Sequence, residues 1–216
     1  MAFTLVPTDL LHAVNECLTA VGTTPVNTLE VSGLTDAAIA KDVIEAVSRE
    51  VQTAGWWFNS VKSQQLAPTA GNIPVPPNYL RVSPSLPTTA NPGETKQFVS
   101  REGKLYDIIN NTYTINVPVR VDAVLLFDFE QLPESARRYI TVRSARIFQT
   151  KVLGDDQLGV FTELHETQAW QAFESDHLLS APSSLFLANV ARRHASVRPS
   201  PVTQASTGRQ RQSQQG

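Results

Sequence analysis

The chain has little of what secreted, membrane-spanning or metal-holding proteins rely on. One cysteine, Cys17, occurs among 216 residues. An intramolecular disulfide and a cysteine-based metal site are therefore both excluded, and a reducing cytoplasm is the simplest compartment. No apolar run approaches the roughly 18 residues that a membrane-spanning helix needs. The first residues, "MAFTLVPTDLLHAVNECL", interleave polar with apolar positions and have no basic start, so no secretory leader is expected. A soluble chain follows from these absences. With 41% hydrophobic residues, it can still bury one sizeable core, or one core with an inserted module.

Catalytic signatures are equally scarce. The one Gly-Lys pair, Gly103-Lys104, is followed by Leu105 and not by the Ser or Thr of a phosphate-binding loop. His165-Glu166 opens like a zinc-protease helix, but Ala169 stands where the second histidine ligand is required. His12, His165, His177 and His194 show no ligand spacing and read as surface or boundary histidines. No serine sits in a glycine-flanked elbow. Cys17 adjoins the apolar side of a helix, which favours a buried small residue over a nucleophile. Asp128, Glu130 and Glu134 form a carboxylate cluster, and they read as acids at a helix entry more readily than as a hydrolytic pair. Asn110-Asn111-Thr112 matches a glycosylation sequon but reads as a turn. No catalytic, cofactor or metal residue is assigned.

What is present is periodicity. Leu10, Leu11, Val14, Leu18 and Val21 predict a helix over 8–21, capped by Thr8 or Asp9 and stopped at Gly22. Ala40, Val43, Ile44, Val47, Val51 and Ala54 predict a second over 36–54, with Lys41, Glu45, Arg49 and Gln52 outside the stripe and Gly55 as its stop. From Trp56 to Phe129 the period falls to two. "QFVSREGKLYDII" reads as a hairpin turning at Glu102-Gly103, Asn110-Asn111 marks the next turn, and Val119, Val121, Ala123, Leu125 and Phe127 alternate along a core strand. The proline-rich stretch "APTAGNIPVPPNYLRVSPSLPTTANPGE" supplies edge segments and loops.

Helical spacing returns at "LPESARRYITVRSARIFQTKVLG", with Pro133 as first helical residue, Gly154 as stop, and Ala136, Tyr139, Ile140, Ile147 and Phe148 near one face. A fourth helix is predicted over 155–179, opening on acids, with Leu158, Phe161, Leu164, Ala169, Ala172 and Phe173 inward. "GWWFN" places Trp56 or Trp57 as a plug between helices and insert, against the competing reading of an exposed partner anchor. Charge is segregated: Asp155 to Asp176 carries acids without a base, while Arg192, Arg193, Arg198, Arg209 and Arg211 carry the last stretch without an acid.

The expected class is mainly α with an inserted β module, α+β overall. Residues 1–55 form a helical pair, 56–129 a β-rich insert, 130–180 a second pair completing a four-helix bundle-like core, and 181–216 a basic extended tail. Arg137, Arg138, Arg143 and Arg146 are expected to pair with the acidic fourth helix or, as inter-subunit residues, with a neighbouring copy. The terminal arginines leave three readings open, as a nucleic-acid-binding tail, as a segment that orders on a protein, or as a bystander.

Three stretches, "AVNECLTAVGTTPVNTLE" with the helix after it, "TAGWWFN" and "LPESARRYITVRSARIFQTKVLG", resemble the tail tubular protein A family, the head-to-tail adaptors of short-tailed bacteriophages. They stand in the family's order and cover the helical framework, about half of the chain. The match fades from Gln64 to Val117 and after Leu179. The resemblance implies a structural, non-enzymatic virion protein at the portal vertex, present in the host cytoplasm during assembly. It implies a dodecameric ring between the portal protein and the tail nozzle (tail tubular protein B), with tail fibres as further candidate neighbours. DNA would pass through its channel without sequence-specific binding. On that reading Leu185, Phe186, Leu187, Val190, Arg192, Arg193 and Arg198 form an arm that reaches the portal. The competing readings are a nucleic-acid-binding accessory protein using the basic tail, and a hydrolase built on Asp128 or Glu130.

Overall fold

The computed structural model describes residues 7–29, 35–85, 97–154 and 159–180. The chain runs through helix α1 (Leu10–Ala20) and helix α2 (Thr35–Thr53), then strands β1 (Ser60–Leu66), β2 (Tyr79–Pro84), β3 (Phe98–Arg101), β4 (Lys104–Asp107) and β5 (Val119–Leu125). A single 3₁₀ turn over Phe129–Gln131 leads into helices α3 (Glu134–Leu153) and α4 (Gly159–Ser180). The fold is α+β, as the change of period predicts.

Local chemistry sets most boundaries. Asp9 caps α1 by accepting from the His12 N–H at 2.7 Å. Gly22, at φ 77°, lets the chain leave that helix. Pro133 differs from its expected place inside α3: its carbonyl accepts the first helical bond from Arg137 N at 3.0 Å while its own ψ is extended, so it is the cap residue. Gly154 closes α3 in the left-handed region, as expected. The described part of α4 starts at Gly159, and the start predicted at Asp155 lies outside the described residues.

Helix α3 packs against each of α1, α2 and α4. Its burial explains why: Ala136, Tyr139, Ile140, Thr141, Val142, Ser144, Ala145, Phe148 and Gln149 are all buried, and they encircle the helix instead of lining one face. Small and hydroxylated residues let neighbouring helices approach on several sides. The inward face of α4 also differs from expectation. Ala169 and Phe173 are buried, but Leu164 and Ala172 are exposed, and Glu166, Trp170 and His177 point inward instead. Leu158 lies outside the described residues.

A second, separate apolar cluster fills the insert: Ile73, Val75, Val82, Phe98, Leu105, Ile115, Val119 and Val121. Strand β5 is central in an antiparallel sheet of order β1-β5-β2, with Val119, Val121 and Ala123 buried in alternation. Phe127 lies beyond the end of that strand. Strands β3 and β4 pair as the predicted hairpin, and Glu102 and Gly103 both have positive φ, the signature of a type I′ turn. The proline-rich stretch contributes more than edges, since Val75 N donates to Gly103 O at 2.8 Å and Leu105 N to Ile73 O at 2.9 Å. Ile73 and Val75 thereby enter the core.

Two buried amides join insert to helices. Gln52, predicted outside the α2 stripe, is fully buried, and its side chain imitates a strand neighbour. It donates to Phe127 O at 3.0 Å and accepts from Phe127 N at 2.9 Å. Asn59 accepts from Trp56 N at 2.7 Å and donates to Gln52 O and Leu125 O, each at 2.8 Å. Trp56 is the buried plug, with Nε1 donating to Val51 O at 2.7 Å and its ring 4.1 Å from that of Phe173. Gly55, at φ 82°, lies under the sheet, where an added Cβ would stand 3.0 Å from Val124 Cγ2. Asn59→Ala removes three hydrogen bonds from a dry site and should cost on the order of 2–4 kcal/mol. Urea unfolding measures this, and a loss below about 1 kcal/mol contradicts the stitching role.

Candidate functional site

The residues singled out for partner contact are the arginines of α3, and the fold engages each within the chain. Arg137 gathers three carbonyls: Nε donates to Leu132 O at 2.7 Å, Nη1 to Thr8 O at 2.9 Å and Nη2 to Glu130 O at 2.7 Å. Beside it, Glu134 accepts from Thr8 N at 3.1 Å and Glu130 from Leu10 N at 3.4 Å. These acids are helix-entry acids, but the N–H groups they satisfy are those of Leu10 at the start of α1 and of Thr8 just before it, rather than of α3. Arg138 meets Glu16 of α1 at 2.6 and 2.8 Å, with more than half of its side chain exposed.

Arg143 and Arg146 form the most buried ionic group among the described residues. Arg143 Nη2 donates to Glu50 of α2 at 2.8 Å, while Nη1 donates to the Tyr139 hydroxyl at 3.1 Å and to Glu166 at 3.4 Å. Arg146 Nε donates to the other oxygen of Glu166. Glu166 of α4 is completely buried. One carboxylate with an arginine on each oxygen is a tolerable burial of charge, because both oxygens are hydrogen-bonded and the positive charge lies beside them. In the sequence Glu166 stands out only as half of an incomplete zinc motif. The signal that could have found it was its place on the helical face that also carries Trp170 and Phe173.

Other expected sites resolve as structure. Cys17 is buried, and burial together with Glu16 pushes its thiol up to about 12, far from a reactive thiolate. Burial likewise raises the Tyr139 hydroxyl to about 12 despite Arg143. Asp107 anchors the predicted turn at Asn110 by accepting from Ile109 N at 2.9 Å and Asn110 N at 3.1 Å. His177, expected near the surface, is buried, with its ring centroid 5.2 Å from that of Trp56 and 5.4 Å from that of Trp57. Among the described residues no three His, Cys, Asp or Glu side chains gather as a metal site. No described helix is long and apolar enough to cross a membrane. The arm residues Leu185, Phe186, Leu187, Val190, Arg192, Arg193 and Arg198, with His194, lie outside the described residues.

A chain that uses the arginines of α3 to lock its helices together has the construction of a building component. Comparison with known proteins gives the particular kind. A family model described as tail tubular protein matches residues 11–182, and tail tubular protein A of Klebsiella phage KP34 is 29% identical over 185 residues, spanning 85% of this chain and 94% of that relative. The chain belongs to the tail tubular protein family and is a structural component of a phage tail.

Glu166→Leu should lose about 3–5 kcal/mol, since it leaves two arginines facing a buried gap. The triple change Glu166→Leu, Arg143→Met, Arg146→Leu should regain most of that loss in the same urea titration. Burial also lowers the His177 pKa, partly offset by Glu174 and Asp176. The unfolded chain then takes up a proton at the ordinary value of 6.5 while the folded chain resists it. Stability from this group is complete above that value and is lost as pH falls through it. Comparing wild type with His177→Gln from about pH 7.5 to about pH 5.5 should show the wild-type advantage shrinking on acidification.

Proposed function

We propose that this chain is a head-to-tail adaptor that assembles as a ring between the portal protein and the tail nozzle and continues the channel for DNA. The family match along residues 11–182 carries this reading, because it spans all four helices and the insert together. The role is structural and non-enzymatic. Its mechanism is multivalent: modest contacts repeated around a closed ring act together, since each bound neighbour raises the effective concentration of the next.

In this proposal the helices make the contacts between copies, and the insert faces the nozzle. The division into helical pairs, insert and tail is the working plan of that assembly. The stitching by Gln52 and Asn59 supports it, because an insert held to α2 by three hydrogen bonds takes its direction from the helices. Arg138, half exposed on α3, is the arginine best placed to exchange Glu16 for a neighbouring acid. The residues after Ser180, with Leu185, Phe186, Leu187 and Val190 ahead of Arg192, Arg193 and Arg198, are the arm toward the portal.

Electron microscopy of the purified chain mixed with its portal protein should show a ring seated under the portal. Deleting the residues after Ser180 should weaken portal binding at least tenfold. Salt-dependent DNA binding by the chain, with no association with the portal, would favour the nucleic-acid reading and remove this one.

A further inference from the structure

The outward face of α4 is unlike that of the other long surface helix. On α2 the exposed positions include Asp36, Asp42, Glu45, Arg49 and Glu50, as solvated faces usually do. On α4 the described exposed positions are Leu164, His165, Gln168, Gln171, Ala172, Ser175, Leu178, Leu179 and Ser180, without one Asp, Glu, Lys or Arg. Leu164, Leu178 and Leu179 are 56%, 55% and 87% exposed. A surface stripe stripped of charge and ending in bare leucines has the make-up of an interface centre. The helical repeat sets Glu163 and Glu174 along one border of the stripe and Asp176 along the other.

We propose that this face is the seat of the chain's own C-terminal segment, residues 184–193, laid back along the helix. The segment begins where the stripe ends, since α4 stops at Ser180. Its composition is the complement of the stripe: Leu185, Phe186, Leu187 and Val190 for the uncharged centre, then Arg192 and Arg193 for the acidic border, with no acid from His177 to Gly216. A second copy's α4 fits less well, because two such faces set together bring acidic border against acidic border.

Chain length agrees. From Ser180 back to Glu163 is about 26 Å of helix, which about eight extended residues cover. With a turn through Ala181-Pro182, Leu187 comes level with Ser175, Val190 with Gln168, and Arg192-Arg193 with Glu163. The apolar run is thereby shielded in the free chain. A partner that takes the segment must displace it from α4. This seat does not depend on the adaptor reading.

Disulfide trapping in the full-length chain tests the proposal, with Cys17 buried and out of reach. Under mild oxidation Ser175→Cys with Ala188→Cys, and separately Gln168→Cys with Val190→Cys, two segment positions on one face of an extended chain, should close within one chain. Each should close more than tenfold faster than Ser175→Cys with Ser200→Cys. Chain length alone gives about threefold for the first pair and about 1.2-fold for the second. Arg192→Glu with Arg193→Glu should slow both trapped pairs several-fold. Closure of both pairs at the control rate overturns the proposal. Closure between chains, seen as a dimer by mass, overturns the own-chain seat and moves the segment onto a neighbour's α4.

Discussion

The arrangement of helices depends on the burial of one carboxylate. Glu166 enters the protein from α4 and is held by Arg143 and Arg146 of α3, while Arg143 also reaches Glu50 of α2. An acid in that position without its arginines would drive α4 off the core, and the arginines without the acid would repel one another in a dry site. Together they fix the rotation of α4 about its axis. That rotation decides that Trp170, Phe173 and His177 face Trp56, and that Leu164, Leu178 and Leu179 face out.

The same economy holds at the start of α1. Glu130 accepts from the first N–H of the helix and Glu134 from Thr8 just before it, and Arg137 collects the carbonyls of Thr8, Glu130 and Leu132. Residues more than a hundred positions apart in sequence thus close the framework on itself. Among the described residues these ion pairs and charged hydrogen bonds serve as joints between helices, which suits a structural tail component.

The connection between the two apolar cores is polar and buried. Gln52 and Asn59 satisfy backbone groups of the α2 end, of the last residue of β5 and of the chain just after it, where the regular helix and sheet bonding runs out. An apolar joint of the same size would permit sliding, whereas directional hydrogen bonds fix one orientation. In the proposed ring, such a joint would translate the position of the helices into the position of the insert.

Much of this was legible in the residues themselves. The stripes of α1 and α2, the Glu102-Gly103 turn, the alternation along β5, and the stops at Gly22, Gly55 and Gly154 follow from local preferences, since φ, side-chain period and capping act within a few residues. The inward roles of Gln52, Glu166 and His177 were not legible. Hydrophobic patterning assigns polar side chains to solvent, and what reverses that is a partner distant in sequence: Phe127 for Gln52, Arg143 and Arg146 for Glu166, Trp56 and Trp57 for His177. Likewise α3 shows the sequence only a modest apolar face, and its central place arises from how three other helices surround it. The sequence by itself determined where the elements lie and where they end, because those outcomes rest on local sterics. Only the tertiary structure decided which polar groups are buried and which helix is the hub, because burying a polar group is favourable only once its partner has been brought to it.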